Sequence, residues 1–337
     1  MTISGHDRLQ ELWQRGKDFL GVDHAILGGA MSWVSERNLV AAISNAGGFG
    51  VIACGSMTPD LLEQEIRATK ALTGKPFAVN LITMHPAIEE LIDVCLQEKI
   101  SHVVLAGGIP ATSDIRRLKD GGAKVICFAP ALVLAKKLIR SGADALVIEG
   151  SEAGGHIGPV STSVLAQEIL PHVTDVPVFV AGGIGRGEVM ASYLEMGASG
   201  VQLGTLFVCA DESIAHENFK KAFIRGNSRD AITSVQLDPR FPVIPVRALK
   251  NRASEAFLQA QRDIITRHQD GELDMKEAQL AIEHYWAGAL RKAVIDGDID
   301  AGSLMAGQIV GVVKKQQPVQ EIIDDLVAQA GIYLSTG

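Results

Sequence analysis

The segment PVFVAGGIGRGEVMASYLEMGASGVQLGT, at residues 177–205, decides the fold. It contains a short apolar run, a glycine pair, a helix-length stretch that ends at Gly197, and a second apolar run that ends in Gly204 and Thr205. Short, continuous apolar runs are typical of strands that are buried on both faces of a parallel sheet. A strand, a helix and another strand in this order predict a right-handed βαβ unit.

The same unit repeats along the first two thirds of the chain. We count eight apolar runs, at residues 25–31, 49–54, 76–82, 102–107, 123–129, 144–150, 177–183 and 199–205. Glycines follow several of these runs, and others precede a run where they would end a helix. Eight such units predict an α/β fold of the (β/α)8 TIM-barrel type. An open, doubly wound sheet is the alternative, although the GxGxxG and GxxxxGK motifs are absent.

The pattern changes after about residue 226. Residues 232–253, ITSVQLDPRFPVIPVRALKNRA, hold three prolines and predict an irregular loop that covers the barrel mouth. Helical periodicity follows at about 251–268, 275–293 and 318–332. We therefore divide the chain into three parts. They are a barrel with an N-terminal helix at 1–226, a loop with a small helical lid at 227–317, and a C-terminal helix at 318–337 that packs back on the barrel.

Composition excludes several classes of protein. The formal net charge of −8 is the opposite of the basic face that nucleic-acid binding needs. The chain starts with a polar, helix-like segment, and no run reaches the ~18 apolar residues of a membrane span. A cytoplasmic protein is therefore expected. The four cysteines are scattered and metal-ligand spacing is absent, so we expect reduced core cysteines and no metal site.

Two strand ends that contain glycine predict an anion site. Gly182 and Gly183 follow the seventh run and precede a helix, where backbone N–H groups and the helix dipole favour a phosphate. Gly204 and Thr205 end the eighth run. Barrels often bind phosphate between the loops after strands seven and eight, so we expect these residues to hold a phosphate-bearing ligand. Glycines that only permit tight turns are the alternative interpretation.

The segment EGSEAGGHIG, at residues 149–158, holds a candidate catalytic group. His156 lies on a loop at the expected barrel mouth. Because imidazole titrates near neutral pH, it could hydrogen-bond a substrate carbonyl or transfer a proton. Glu149 and Glu152 add carboxyl groups to the same segment. A purely structural histidine is the alternative.

Two further strand ends could contact a planar ring. The segment GGAMSW, at residues 28–33, ends the first run and would bring backbone amides close to such a ring. Asn80 ends the third run and could bond a ring carbonyl and a ring amide together. A buried asparagine with a structural role is the alternative.

These motifs resemble, over almost the whole chain, the nitronate monooxygenase superfamily. This superfamily was formerly called the 2-nitropropane dioxygenases, and it includes the FMN-dependent enoyl-ACP reductases. The resemblance is carried by GGAMSWVS, AISNAGGFGVI, KPFAVNL, IEGSEAGGHIG, VAGGIGRGE, GASGVQLGTLFV and DAGSLMAGQIVG. The EAGGH part assigns the superfamily, whereas EAGGHIG together with MAGQ is similar to the enoyl-reductase branch.

The resemblance implies FMN as the cofactor, with NADH or NADPH as electron donor, and His156 as the catalytic or substrate-orienting residue. The residues assigned to the cofactor site are Gly29, Ala30, Met31, Asn80, Glu149, Gly154, Gly155, Gly182, Gly183, Gly204, Thr205, Met305, Gly307 and Gln308. The chain departs from the family pattern at two strand ends. Relatives often read QGGM at the first strand and TAGN at the fourth, where this chain reads GGAM (28–31) and AGGIP (106–110).

The reaction that the resemblance favours is NAD(P)H-dependent reduction of an enoyl thioester. Arg247, Lys250 and Arg252 could then meet a nucleotide phosphate or an acyl carrier protein; a solvated basic face is the alternative. Oxidation of alkyl nitronates with O2 is the second hypothesis, and NAD(P)H:quinone reduction is a lesser one. A phosphate-binding lyase or isomerase without flavin, and a non-catalytic FMN-binding scaffold, are also consistent with the pattern. A homodimer is left open.

Overall fold

The computed structural model describes residues 4–238 and 244–335, with all side chains in these ranges except that of Glu283. Eleven strands occur among these residues. They are β1 (Ile26–Gly28), β2 (Gly50–Ala53), β3 (Phe77–Ile82), β4 (His102–Ala106), β5 (Lys124–Phe128), β6 (Ala145–Glu149), β7 (Gly155–His156), β8 (Val178–Ala181), β9 (Gly200–Leu203), β10 (Ala231–Thr233) and β11 (Val246–Leu249). Each of the eight predicted apolar runs contains one strand of the main sheet.

The main sheet is a closed barrel of parallel strands. Its order is β1-β9-β8-β6-β5-β4-β3-β2, and every pairing within it is parallel. Closure between the two ends comes from Phe49, whose N–H donates to the Ile26 carbonyl at 2.8 Å and whose carbonyl accepts from Gly28 at 2.9 Å. The predicted TIM barrel is confirmed, and the open-sheet alternative is excluded.

Helices surround the barrel and extend beyond it. They are α1 (Gly5–Leu20), α2 (Arg37–Asn45), α3 (Pro59–Leu72), α4 (Ile88–Gln97), α5 (Thr112–Asp120), α6 (Leu132–Ser141), α7 (Thr162–Ile169), α8 (Gly187–Glu195), α9 (Thr205–Val208), α10 (Glu217–Arg225), α11 (Arg252–Gln269), α12 (Met275–Val294) and α13 (Val319–Ser335). Local chemistry sets several of the ends. Thr58 caps α3 through its side chain, with Pro59 in the first turn, and Gly142 ends α6 in the left-handed region at φ 109°.

Helix α1 closes the amino-terminal end of the barrel. The carbonyl of Phe19 accepts hydrogen bonds from His102 Nε2 at 3.0 Å and from Lys124 Nζ at 2.7 Å, at the starts of β4 and β5. The His102 ring also contacts the rings of Phe19 and Phe49 edge-on, with centroids 5.2 and 5.0 Å away. This end is therefore packed with side chains, which leaves the carboxyl ends of the strands as the open face.

The expectation of an irregular loop over residues 232–253 is wrong at both ends of that segment. Strand β11 pairs antiparallel with β10 on one side and with β7 on the other, and all four of its residues are buried. This sheet could not be predicted from the sequence because its strands are short and because β7 is far from β10 and β11 along the chain. Residues 239–243 of the segment lie outside the described residues.

The region after the barrel is helical, with a small core of its own. Helices α11 and α12 pack through Phe257 and Trp286, whose rings are 4.1 Å apart, and Val246 of β11 joins the same cluster. Helix α13 returns to the barrel, where Gln329 Oε1 accepts from the N–H of Gly187 at 2.9 Å. It also meets α1, because the N–H of Gly5 donates to Ser335 Oγ at 3.1 Å.

Candidate active site

The loop between β8 and α8 forms an anion cradle at the open face of the barrel. Gly182 and Gly183 both have left-handed backbones, at φ 94° and 71°, which aim successive N–H groups out of the loop. The N–H groups of Gly183, Ile184 and Gly185 donate to no residue that the structure describes. The positive end of the nine-residue helix α8 adds to these unpaired donors, so the loop fits a phosphate.

The end of β9 lies beside the end of β1. The N–H of Gly29 donates to the Leu203 carbonyl at 2.7 Å, and a Cβ at Gly204 would lie 3.5 Å from the sulfur of Met31. The hydroxyl of Thr205 accepts from the N–H of Gly307 at 3.0 Å. The structure therefore brings together predicted residues from three places, which are the end of the first apolar run, the end of the eighth run, and the C-terminal segment at residues 305–308. Ala30 lies between Gly29 and Met31 in the first of these.

The C-terminal segment approaches the loop after β6 backbone to backbone. A Cβ at Gly154 would lie 2.6 Å from both the carbonyl carbon of Ala306 and the nitrogen of Gly307, which leaves room only for glycine. A Cβ at Gly155 would lie 3.6 Å from the sulfur of Met305. Met305 is itself held by a bridge to Ala248 of β11.

Glu152 links these segments, a role that was not predicted although the residue lies in the EGSEAGGHIG segment. Its side chain accepts from the N–H and the hydroxyl of Thr162, both at 2.9 Å, and its carbonyl accepts from the N–H of Gln308 at 2.9 Å. It also lies against the cradle, because a Cβ at Gly183 would be 3.2 Å from Glu152 Cβ. The only signal in the sequence was its position in the glycine-rich segment.

His156 is exposed at the rim of the mouth, on a backbone that is fixed by pairing. It lies opposite Val246 in the β7–β11 pair, and the next residue, Ile157, donates its N–H to the Pro245 carbonyl at 2.9 Å. A histidine held in this way has little backbone freedom, so its Cα position on the rim is fixed by the pairing. Its catalytic role stays a prediction.

Arg247 is buried, contrary to its interpretation as part of a surface cluster. Its Nε donates to the Ser151 carbonyl at 2.9 Å and its Nη1 donates to the Ala231 carbonyl at 2.6 Å. Desolvation by this burial lowers the pKa of the guanidinium below its ordinary value. Arg247 therefore ties the loop after β6 to the small sheet, and only Lys250 and Arg252 of the cluster stay at the surface.

Asn80 lies near the end of β3 and Glu149 ends β6, two strands that β4 and β5 separate, and neither side chain enters the contacts above. The Asn80 side chain is buried and donates to the Val104 carbonyl at 3.4 Å. This hydrogen bond is consistent with the alternative that Asn80 has a structural role. Glu149 lies beside Ala181 at the end of β6, and its carboxyl group bonds to no described residue. Burial raises the pKa of Glu149 to about 8, so the neutral acid predominates at pH 7 and could donate a hydrogen bond.

Other kinds of site find no support in the part of the chain that the structure describes. No group of three or more His, Cys, Asp or Glu side chains there could hold a metal ion. The four cysteines are buried and unpaired. None of the described helices is both long and apolar enough to cross a bilayer.

Comparison with known proteins identifies the family of this chain. The model of the family described as nitronate monooxygenase matches residues 14–91 and 86–329. A (3aS,4S,5R,7aS)-5-hydroxy-7a-methyl-1-oxo-octahydro-1H-indene-4-carboxyl-CoA dehydrogenase of Rhodococcus jostii is 32% identical, over 93% of this chain and 94% of its own length. A probable nitronate monooxygenase of Staphylococcus saprophyticus is 28% identical, over 95% and 98%.

Two solved structures share the whole fold. FabK from Thermotoga maritima has a TM-score of 0.83 and 36% identity, covering 96% of this chain and 97% of its own. The nitroalkane oxidase from Streptomyces ansochromogenes has a TM-score of 0.77 and 28% identity, covering 94% and 98%. The fold and these comparisons thus define a (β/α)8-barrel oxidoreductase, and its candidate site lies at the carboxyl ends of the strands. The chain belongs to the nitronate monooxygenase family.

Proposed function

We propose that this protein binds FMN and uses NADH or NADPH to reduce an enoyl thioester. The observation that carries the FMN part is the cradle after β8, where glycines at positive φ leave N–H groups without partners beside a helix N-terminus. Thr205 lies at the end of the adjacent strand β9, so two neighbouring loops could share one phosphate. The close approach of Gly154 to residues 306–307 supports the proposal that the loop after β6 and this C-terminal segment form one side of the FMN site.

The enoyl thioester is supported by two kinds of relative. The dehydrogenases from Mycobacterium tuberculosis and Rhodococcus jostii act on a carboxyl-CoA, which is an acyl thioester. FabK aligns with almost the whole chain at 36% identity. The EAGGHIG and MAGQ segments, which carry the resemblance to enoyl reductases, are the segments that Glu152 and Gln308 join. The thioester carrier would be coenzyme A or an acyl carrier protein.

Each residue of the site would have a limited task, because bound FMN would supply the two-electron chemistry between nicotinamide and the carbon–carbon double bond. Gly183 and Thr205 would hold the phosphate. His156 would donate a hydrogen bond to the thioester carbonyl or deliver the proton that the α-carbon needs. A neutral Glu149 would add no negative charge beside an anionic cofactor. Arg247 would keep the loop of His156 in place from outside the reacting centre.

The direct test is an anaerobic absorbance experiment on the FMN-loaded protein. NADH or NADPH should bleach the flavin band, and a crotonyl thioester should restore it. His156→Gln should slow the second step, whereas His172→Gln, an exposed histidine after α7, should not. Failure of both nucleotides to bleach the flavin would contradict the proposal.

Nitronate oxidation is the second candidate, and the family match together with the nitroalkane oxidase structure favours it. In that reaction His156 would accept a proton from the carbon next to the nitro group or orient the nitronate. Oxygen uptake with propyl-2-nitronate, without any nicotinamide nucleotide, distinguishes this activity from the first.

A further inference from the structure

We propose that a basic surface beside the barrel mouth docks an acidic acyl carrier protein, which would deliver the enoyl thioester to the candidate site. The basic surface consists of exposed cations from three chain segments, which are Arg225, Arg229, Lys250, Arg252, Lys314 and Lys315. The inference rests on the proposed enoyl-thioester reaction and names the carrier on which the substrate would arrive.

The end of helix α10 lies beside the end of strand β11, which brings the first two segments together. A Cβ at Gly226, just after α10, would lie 3.3 Å from the side chain of Leu249, the last residue of β11. The N–H of Lys250 donates to the carbonyl of Asp230 at 2.9 Å. The cations of residues 225–229 therefore lie next to the segment that begins at Lys250.

The third segment, residues 311–315, packs against the same turn. A Cβ at Gly311 would lie 2.9 Å from the nitrogen of Ser228, so the two backbones are in close contact. Lys314 Nζ donates to the carbonyl of Gly226 at 3.4 Å. All three segments thus meet at residues 226–230, and their cations form one continuous surface.

The basic surface has the opposite charge to the chain as a whole. The stretches that form it are residues 224–230, 249–252 and 311–315. They contain six Lys and Arg side chains and one carboxylate, Asp230, so their formal charge is six minus one, or +5, in a chain of net charge −8. A local field of this sign attracts an acidic partner and raises its rate of association.

Most of these cations have no carboxylate partner among the residues that the structure describes. Of the six, Arg229 pairs with Asp230 at 3.9 Å and Lys315 pairs with Glu321 at 3.8 Å, and both separations are long. The Asp230 carboxyl group also accepts from the N–H of Asn227 at 3.0 Å, which holds it within its own turn. The cations are therefore available to carboxylates of another molecule.

Strand β11 connects the basic surface with the candidate site. Val246 at its start lies opposite His156, and Lys250 follows four residues later, ~13 Å further along an extended strand. The pantetheine arm of a carrier protein, when extended, is about as long as five residues, or ~17 Å. A carrier that is docked near Lys250 could therefore place its thioester at His156.

The form of the surface favours a protein over coenzyme A as the carrier. Its cations are spread over three segments, as the carboxylates of an acidic protein surface would be, whereas coenzyme A concentrates its charge on a few phosphates. Val312, which is 41% exposed, adds an apolar side chain next to Lys314 and Lys315. An apolar centre with a charged rim is typical of an interface between proteins.

The test compares a crotonyl thioester on three carriers, which are an acyl carrier protein, coenzyme A and uncharged pantetheine. The double variant Arg229→Glu, Lys250→Glu reverses two cations of the surface. The matched control, Lys136→Glu, Lys137→Glu, makes the same charge change at exposed positions on α6, which follows β5. Equal unfolding midpoints of the two variants would show that both are folded.

The expected effect depends on both the carrier and the salt concentration. In the FMN-loaded double variant at low salt, kcat/KM for the carrier-protein substrate should fall roughly tenfold, with crotonyl-pantetheine unchanged. The control variant should lose less than about twofold with either substrate. The tenfold difference should largely disappear in ~1 M NaCl, where the Debye length is ~3 Å.

Binding of the carrier protein separates the surface from the reaction. The carrier protein without an acyl group should bind the FMN-loaded wild type in fluorescence anisotropy, and roughly tenfold more weakly the double variant. Wild-type binding and turnover in the double variant would overturn the docking surface. An equal loss with crotonyl-CoA would also overturn it, because phosphates alone would then account for the effect. If no enoyl thioester reoxidises the reduced flavin, the proposed reaction fails, whereas binding that depends on Arg229 and Lys250 would still support the surface.

Discussion

Gly154→Ala is the sharpest test of how the candidate site is assembled. The new Cβ would lie 2.6 Å from two backbone atoms, so residues 306–307 must move by about 0.8 Å to reach ordinary contact at 3.4 Å. That movement would break or lengthen two hydrogen bonds, from the N–H of Gly307 to Thr205 Oγ1 at 3.0 Å and from the N–H of Gln308 to the Glu152 carbonyl at 2.9 Å. At about 1 kcal/mol each, the loss is about 2 kcal/mol, within the range for overpacked sites.

The assay has two parts and a control in the same loop. Chemical denaturation followed by circular dichroism should show the loss in the free energy of unfolding, and titration of flavin fluorescence should show FMN affinity falling by up to about 30-fold. Gly158→Ala is the control, because nothing lies within 4 Å of its Cβ position. Two variants with the same stability and the same FMN affinity would refute the close approach of the two backbones.

Three further predictions concern charge and backbone conformation. Gly183→Ala and Gly197→Ala both place a side chain at positive φ, 71° and 106°, and should each cost about 1 kcal/mol, but only Gly183→Ala should weaken FMN binding in a fluorescence titration. FMN affinity should fall as pH rises through about 8, where Glu149 ionises and would repel the anionic cofactor, and Glu149→Gln should abolish this dependence. Burial lowers the pKa of His102 to about 4, from 6.5 when unfolded, so stability is lost as pH falls from 6.5 towards 4. In urea unfolding, the free energy of unfolding of the wild type should fall by up to about 3 kcal/mol more than that of His102→Gln between pH 7 and 4.5. Equal losses in the two proteins would contradict this role of His102.

Much of the candidate site could be predicted because local backbone geometry requires glycine at several of its positions. Gly182 and Gly183 stand at a strand end before a helix, and a positive φ at such a position needs glycine whatever surrounds it. The contacts of Met305, Gly307 and Gln308 were expected only through the family resemblance. No periodicity or spacing shows that residues 306–307 pack against Gly154, since that approach depends on how two segments that are distant along the chain meet in space.

The sequence by itself determined the barrel, because eight apolar runs separated by helix-length segments specify strands and helices through local periodicity and turn chemistry. It also predicted an anion site at the glycines that follow the seventh and eighth runs. Only the tertiary structure decided that Arg247 is buried, that Glu152 joins three segments, and that β11 pairs with the strand of His156. Each of these depends on contacts between residues that are distant along the chain, and neither composition nor periodicity specifies which distant residues meet.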